Sequence, residues 1–236
     1  MRISERLCRL LYPNRCAYCG ALLEPDQLRC AACERELEGI GTDICVFCGK
    51  RREDCDCKKH KNEYCAIAAP FYYAGLPKSA VARVKFSDRL TGIQEMAFQM
   101  ETVISTFYTS VAFDAVSFVP ATKKKDAERG CNLAGALAAL IAQEMKIELF
   151  DCLEKLYENE EQHKLNFKER KGNVSGVFQV KENMDVSDKT ILLIDDVKTT
   201  GSTLNECAKM LNIFGAKAVW ACTFALTGGK KDVKRE

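Results

Sequence analysis

ILLIDDVKTTGSTL, running from Ile191 to Leu204, carries more structural information per residue than any other stretch of the chain. An apolar, β-branched run makes a strand, and it leads straight into two consecutive carboxylates, Asp195 and Asp196. Those acids stand at the carboxyl end of a sheet strand, where α/β folds bind their ligands. A Thr- and Gly-containing loop follows and opens a helix, STLNECAKMLNIFG, which closes at Gly215. The backbone N–H groups of Thr199 to Thr203 therefore lie at a helix N-terminus, where unpaired donors and the helix dipole favour an anion. Gly201 lets the backbone approach a phosphate closely, and the hydroxyls of Thr199, Thr200, Ser202 and Thr203 add donors. Two acids cannot themselves bind phosphate, and the hydroxyls of a sugar diol are their natural partners. Strand, acids and phosphate cradle in this order spell a ribose 5-phosphate site.

Working outward, strand-like and helix-like segments alternate from about residue 66 onward. AIAAPFYY reads as a strand broken by Gly75 and Pro77, and SAVARVKF as a helix. Residues 92–107 form a longer helical pattern, and AVSFVP is a buried-type strand. Gly130 to Lys146 is an Ala/Leu-rich helix, and AVWACTFAL is a last strand. Alternation of this kind implies helices on both faces of a largely parallel sheet. The layer covering a substrate is expected from residues 66–112.

Before residue 66 the chemistry differs. Ten of the 14 cysteines fall in the first 65 residues, among many charges and few apolar runs. Such a region can hardly bury enough surface to fold without a staple. Cys16-x2-Cys19 and Cys30-x2-Cys33 have the spacing of two zinc knuckles, each bending back so that two thiolates reach one ion. Cys45-x2-Cys48 with Cys55-x-Cys57 forms a second group with a tighter spacing; His60 could replace Cys55 or Cys57. The doublets could also cross-pair, 16/19 with 45/48. One or two structural zinc ions are expected, in a region of 1–65 preceding an α/β domain of 66–236.

The 236 residues carry 35 Lys and Arg against 33 Asp and Glu, a net charge of +2 that excludes a generally basic nucleic-acid coat. The longest apolar run, Leu133 to Ala142, is only half the length that spans a bilayer, so no membrane insertion is expected. The start, MRISERLCRLLYP, is interrupted by charge where a signal peptide is apolar. A cytoplasmic location, with reduced thiols available to metal, is the expectation.

The DDVKTTGST segment resembles the phosphoribosyl-pyrophosphate signature of type I phosphoribosyltransferases. There the paired acids contact the ribose hydroxyls and the Thr/Gly loop holds the 5-phosphate. Lys198 stands where the general signature carries an apolar residue. The order of zinc-ribbon cysteines, α/β domain and DDVKTTGST is in turn similar to the ComF-type competence protein family. VPATKKKDAERGCNLA, from Val119 to Ala134, resembles that family's Val-Pro segment and Arg-Gly-x-Asn turn, matching at Arg129, Gly130 and Asn132. Gln162, Leu165, Glu169, Arg170, Asn173, Gly176 and Phe178 fall in step with its next block, and Lys85-Phe86 resembles a Lys-Tyr pair. The family's second Pro and its His after Val-Pro are replaced here by ATKKK.

The resemblance implies a type I phosphoribosyltransferase-like sheet behind a zinc ribbon, binding phosphoribosyl pyrophosphate with Mg2+. It implies a role in DNA uptake, with single-stranded DNA and other uptake proteins as partners. Lys123, Lys124 and Arg129, in the loop after AVSFVP, are candidates to neutralise pyrophosphate. A metabolic phosphoribosyltransferase acting on a nucleobase or an amide, and a non-catalytic sensor, are the competing readings.

Overall fold

The structure, a computed structural model, describes residues 13–55, 57, 62–86, 89–121, 132–156 and 177–228. At its centre Ile191, Leu192, Leu193 and Ile194 are all fully buried. Successive strand residues point to opposite faces, so both faces of the sheet are covered here, as the parallel arrangement requires. The strands in chain order are β1 (Ile67–Ala68), β2 (Phe71–Tyr72), β3 (Ala115–Phe118), β4 (Glu148–Leu149), β5 (Leu153–Lys155), β6 (Phe178–Val180), β7 (Thr190–Lys198) and β8 (Ala218–Leu226). The main sheet has the order β1-β8-β7-β3-β4, with β2 also pairing along β8, and every pairing in it is parallel. β5 and β6 form a separate antiparallel pair.

The helices are α1 (Ala31–Glu36), α2 (Gly75–Phe86), α3 (Arg89–Phe107), α4 (Leu133–Met145) and α5 (Ser202–Ile213). α4 packs on β3, β7 and α3, while α5 packs on β6, β7 and β8. The Ala/Leu composition of α4 suits close approach: Leu137, Ala138 and Ile141 are fully buried. Asn132 caps its start by accepting from the Gly135 N–H, and Lys146 ends it in the left-handed conformation.

Three expectations are corrected in detail. AIAAPFYY is two short strands, not one, because Pro70 has no N–H for a ladder. Its carbonyl instead accepts from Ile40 N at 2.8 Å. The helix after it starts at Gly75 rather than beyond Pro77, since a proline in the first turn loses no intrahelical bond. Residues 66–112 are not all available as a covering layer, since β1 and β2 lie in the main sheet.

The cysteine region is two copies of one turn. In the first, Cys16 N donates to Ala21 O at 2.8 Å and Gly20 N to Cys16 O at 2.9 Å. In the second, Cys45 N donates to Lys50 O at 2.8 Å and Gly49 N to Cys45 O at 2.7 Å. Gly20 and Gly49 have φ of +78° and +80°, which explains the glycine directly after Cys16-x2-Cys19 and after Cys45-x2-Cys48. The first copy is tied to α3 through a carboxylate with no exposed surface. Glu95 accepts from the Tyr18 hydroxyl at 2.9 Å, from Arg29 Nη1 at 2.9 and 3.0 Å, and from Gln99 Nε2 at 2.9 Å. One cluster of buried side chains consequently runs from Cys16, Tyr18 and Ile44 through to the strands of the main sheet.

Replacing Glu95 by Ala strands a buried hydroxyl and an arginine, which is expected to cost about 3 kcal/mol in urea unfolding. A loss below about 1 kcal/mol would show that the tie between ribbon and helix contributes little.

Candidate functional site

Asp195 and Asp196 lie within β7, which continues beyond them to Lys198 in register with β8: Asp195 opposes Thr223 and Lys198 opposes Leu226. Each acid is oriented by the next N–H along the chain. Asp195 Oδ1 accepts from Asp196 N, and Asp196 Oδ1 from Val197 N, both at 2.8 Å. The free oxygen of Asp196 meets Lys85 Nζ of α2 at 2.6 Å. Asp195 sits deeper in protein: burial first, and the adjacent Asp196 second, push its carboxyl well above the usual carboxylate range, while Lys85 acts the other way. Both side chains nevertheless retain some exposed surface.

Past the acids the chain turns at Thr199 and Thr200 into Gly201, whose φ of +83° makes it the left-handed cap of α5. Gly201 has no side chain to cap this helix, and the Ser202 N–H donates to the Thr200 hydroxyl at 3.3 Å. Thr199, Thr200, Ser202 and Thr203 are exposed, with the Thr200 and Ser202 hydroxyls 2.9 Å apart. Thr227 N donates to Lys198 O at 3.0 Å and closes the turn against the end of β8. This loop lines an open cleft of about 510 Å³. The opposite side of the cleft comes from the cysteine region, including Cys48, Lys50 and Cys57.

The thiols gather as Cys16, Cys19, Cys30 and Cys33 in one set and Cys45, Cys48, Cys55 and Cys57 in the other, with all Sγ atoms of a set within 4.8 Å of one another. The sets are consecutive, so the cross-paired alternative is overturned. A zinc ion with Zn–S bonds of about 2.3 Å sets the tetrahedral S···S edge at about 3.8 Å. Cys19 and Cys30 lie 3.7 Å apart, as do Cys48 and Cys55, so both sets fit that ion. The second set is complete without His60, which falls outside the described residues.

Lys123, Lys124 and Arg129 also lie outside the described residues, as does the stretch from Gln162 to Gly176. Sequence reasoning named Lys85 only as part of a resemblance and gave it no partner. Its signal was a lysine in the last turn of the helix that follows β2. The second ribbon's place beside the Thr/Gly loop had no signal in spacing at all.

Two zinc ions per chain are expected from metal analysis of protein prepared without added chelator, and their removal should unfold residues 13–57. Metal-free protein with unchanged structure would contradict both sites.

Residues 7–68 match the family described as double zinc ribbon domain, and residues 128–236 the phosphoribosyl transferase domain. Competence protein ComFC of Bacillus subtilis is 28% identical over 215 residues, covering 87% of this chain and 86% of that protein. Competence protein ComFC of Streptococcus pneumoniae is 30% identical over 207 residues, covering 84% and 87%. Competence protein F of Haemophilus influenzae is 24% identical and covers 87% and 93%. The similarity spans most of both chains in each case, and the chain belongs to the ComFC competence protein family.

Proposed function

We propose that this chain binds phosphoribosyl pyrophosphate at the end of β7 and acts in DNA uptake, handling single-stranded DNA in the cytosol. The observation that carries the reading is the acid pair of β7 leading without interruption into an exposed loop and a helix N-terminus capped by a glycine, beside an open cleft. The N–H groups and hydroxyls of Thr199 to Thr203 take the 5-phosphate, and Asp195 and Asp196 take the ribose hydroxyls. Mg2+, a hard ion that suits carboxylate oxygens, would be held at Asp195 and Asp196 and would neutralise the charge of the ligand there. Lys85, already on Asp196, is placed to exchange that partner for the ligand.

β3 runs parallel beside β7, Phe118 opposite Ile194, so the connection after Pro120 leaves from the same sheet edge as the acids. That supports Lys123, Lys124 and Arg129 as the residues that neutralise pyrophosphate. The chain offers positioning and charge stabilisation rather than a nucleophile. DNA handling rests on the competence relatives and on the lysines and arginine at 164, 168, 170 and 171, which suit a strand backbone or another uptake protein.

Calorimetry with phosphoribosyl pyrophosphate and magnesium is expected to show saturable binding that Asp195→Asn with Asp196→Asn abolishes. Unchanged affinity would overturn the site. Asp195→Asn alone should also raise the melting temperature by about 3 °C at neutral pH. Its raised folded pKa means that the native state binds more protons than the unfolded chain. Ionised Asp195 therefore costs stability above the unfolded carboxylate pKa, and the gain should vanish as pH falls toward about 4. A variant no more stable at pH 7 than the parent would show that Asp195 is not held against its own charge.

Single-stranded DNA should bind at low salt and release as salt rises. No binding at low salt, together with ribosylation of a free nucleobase, would replace the uptake role with a metabolic one.

A further inference from the structure

Lys198 occupies an unusual place. It ends β7, is 9% exposed, and donates from Nζ to the carbonyl of Cys48 at 3.2 Å. Its Cε lies 2.7 Å from where a side chain on Gly201 would begin, so the lysine stem supports the left-handed turn that opens α5. A single side chain therefore touches a ligand residue of the second thiol set and the loop assigned to phosphate. Cys48 and Lys198 also line the same cleft.

The electrostatics give this contact a purpose. Four thiolates around Zn2+ carry a net charge of −2, and a phosphate in the cleft would share that cleft with Cys48 and Cys57 of the set. An ammonium has donors only, and burying it requires an acceptor or an anion nearby. Placed between two negative groups, it favours both. An apolar residue at 198 would fill the same space and leave the two anions opposed.

We propose that the second zinc site and the phosphate loop are coupled through Lys198, so that a filled Cys45–Cys48–Cys55–Cys57 site sets the affinity of the cleft for a sugar phosphate. This rests on the phosphoribosyl-pyrophosphate reading given above. When the ribbon loses its ion, the Cys48 carbonyl is released, Lys198 loses that acceptor and the Gly201 turn loses its support. Coupling of this kind is reciprocal: a bound sugar phosphate must also tighten the ribbon's hold on zinc. Lys198 acts here as a positioning residue.

The experiment measures phosphoribosyl-pyrophosphate affinity by calorimetry, with magnesium present, in the full chain and two variants. Cys55→Ala removes a zinc ligand outside the cleft lining, and should leave one zinc per chain and weaken binding about tenfold or more. Lys198→Met should keep both zinc ions, by mass spectrometry of the metal, and weaken binding by a similar factor of about ten. Zinc transfer to a coloured chelator should be slowed by phosphoribosyl pyrophosphate in the parent and not in Lys198→Met. Unchanged affinity in Lys198→Met, or ligand-independent zinc transfer in the parent, overturns the coupling, and does so even if Cys55→Ala fails to fold. A parent chain that binds no phosphoribosyl pyrophosphate overturns instead the reading on which the coupling rests.

Discussion

The ladder between β7 and β8 holds the site in place. It runs from Thr190 opposite Ala218 to Lys198 opposite Leu226, well past the last fully buried residue of the apolar run at Ile194. Because β7 remains a strand through Asp195 and Asp196, the two acids project from ordered backbone. The loop then begins from a fixed position. An acid pair on a flexible turn would have no defined relation to the helix N-terminus. Here both are set by hydrogen bonds to neighbours whose own positions come from a core buried on both faces.

The same constraint explains why the cysteine region is where it is. Its two turns are near-copies in their hydrogen bonds, yet they meet different partners. The first rests on α3 through Glu95, which satisfies Tyr18, Arg29 and Gln99 at once. The second rests on the end of the main sheet: Ile67 N donates to Val46 O at 2.8 Å, and Lys198 reaches Cys48. Gly49 lies against Leu226, where a β-carbon would meet the Leu226 side chain at 2.8 Å. One ribbon therefore carries a buried charge cluster that secures the fold, and the other forms part of the cleft.

Much of this was legible in the residues. The apolar run of β7, the acids, the Thr/Gly loop and the α5 helix follow from local pattern, and the structure puts them where pattern reasoning did. AVWACTFAL is β8 residue for residue. The thiol sets follow from spacing, although spacing alone left their pairing open until the Sγ positions separated them. What escaped was non-local. Pro70 divides a strand that its composition favours, and the result depends on Ile40 taking its carbonyl. Glu95 looks like one more surface acid on an amphipathic helix, and only the approach of Tyr18 and Arg29 from 77 and 66 residues away makes it a buried one. Lys198 is similar, since its partner lies 150 residues earlier. Sequence periodicity reports the face of one element and carries no information on which distant element will cover it.

We propose that β7 and its loop form a sugar-phosphate site beside the second thiol set. A crystal structure of the chain with ribose 5-phosphate and magnesium tests it most directly, with zinc located by anomalous scattering. Phosphate is expected on the N–H groups of Thr199 to Thr203, ribose hydroxyls toward Asp195 and Asp196, and a zinc ion in each thiol set. Sugar phosphate bound elsewhere, with the loop of Gly201 empty at saturating ligand, would contradict it.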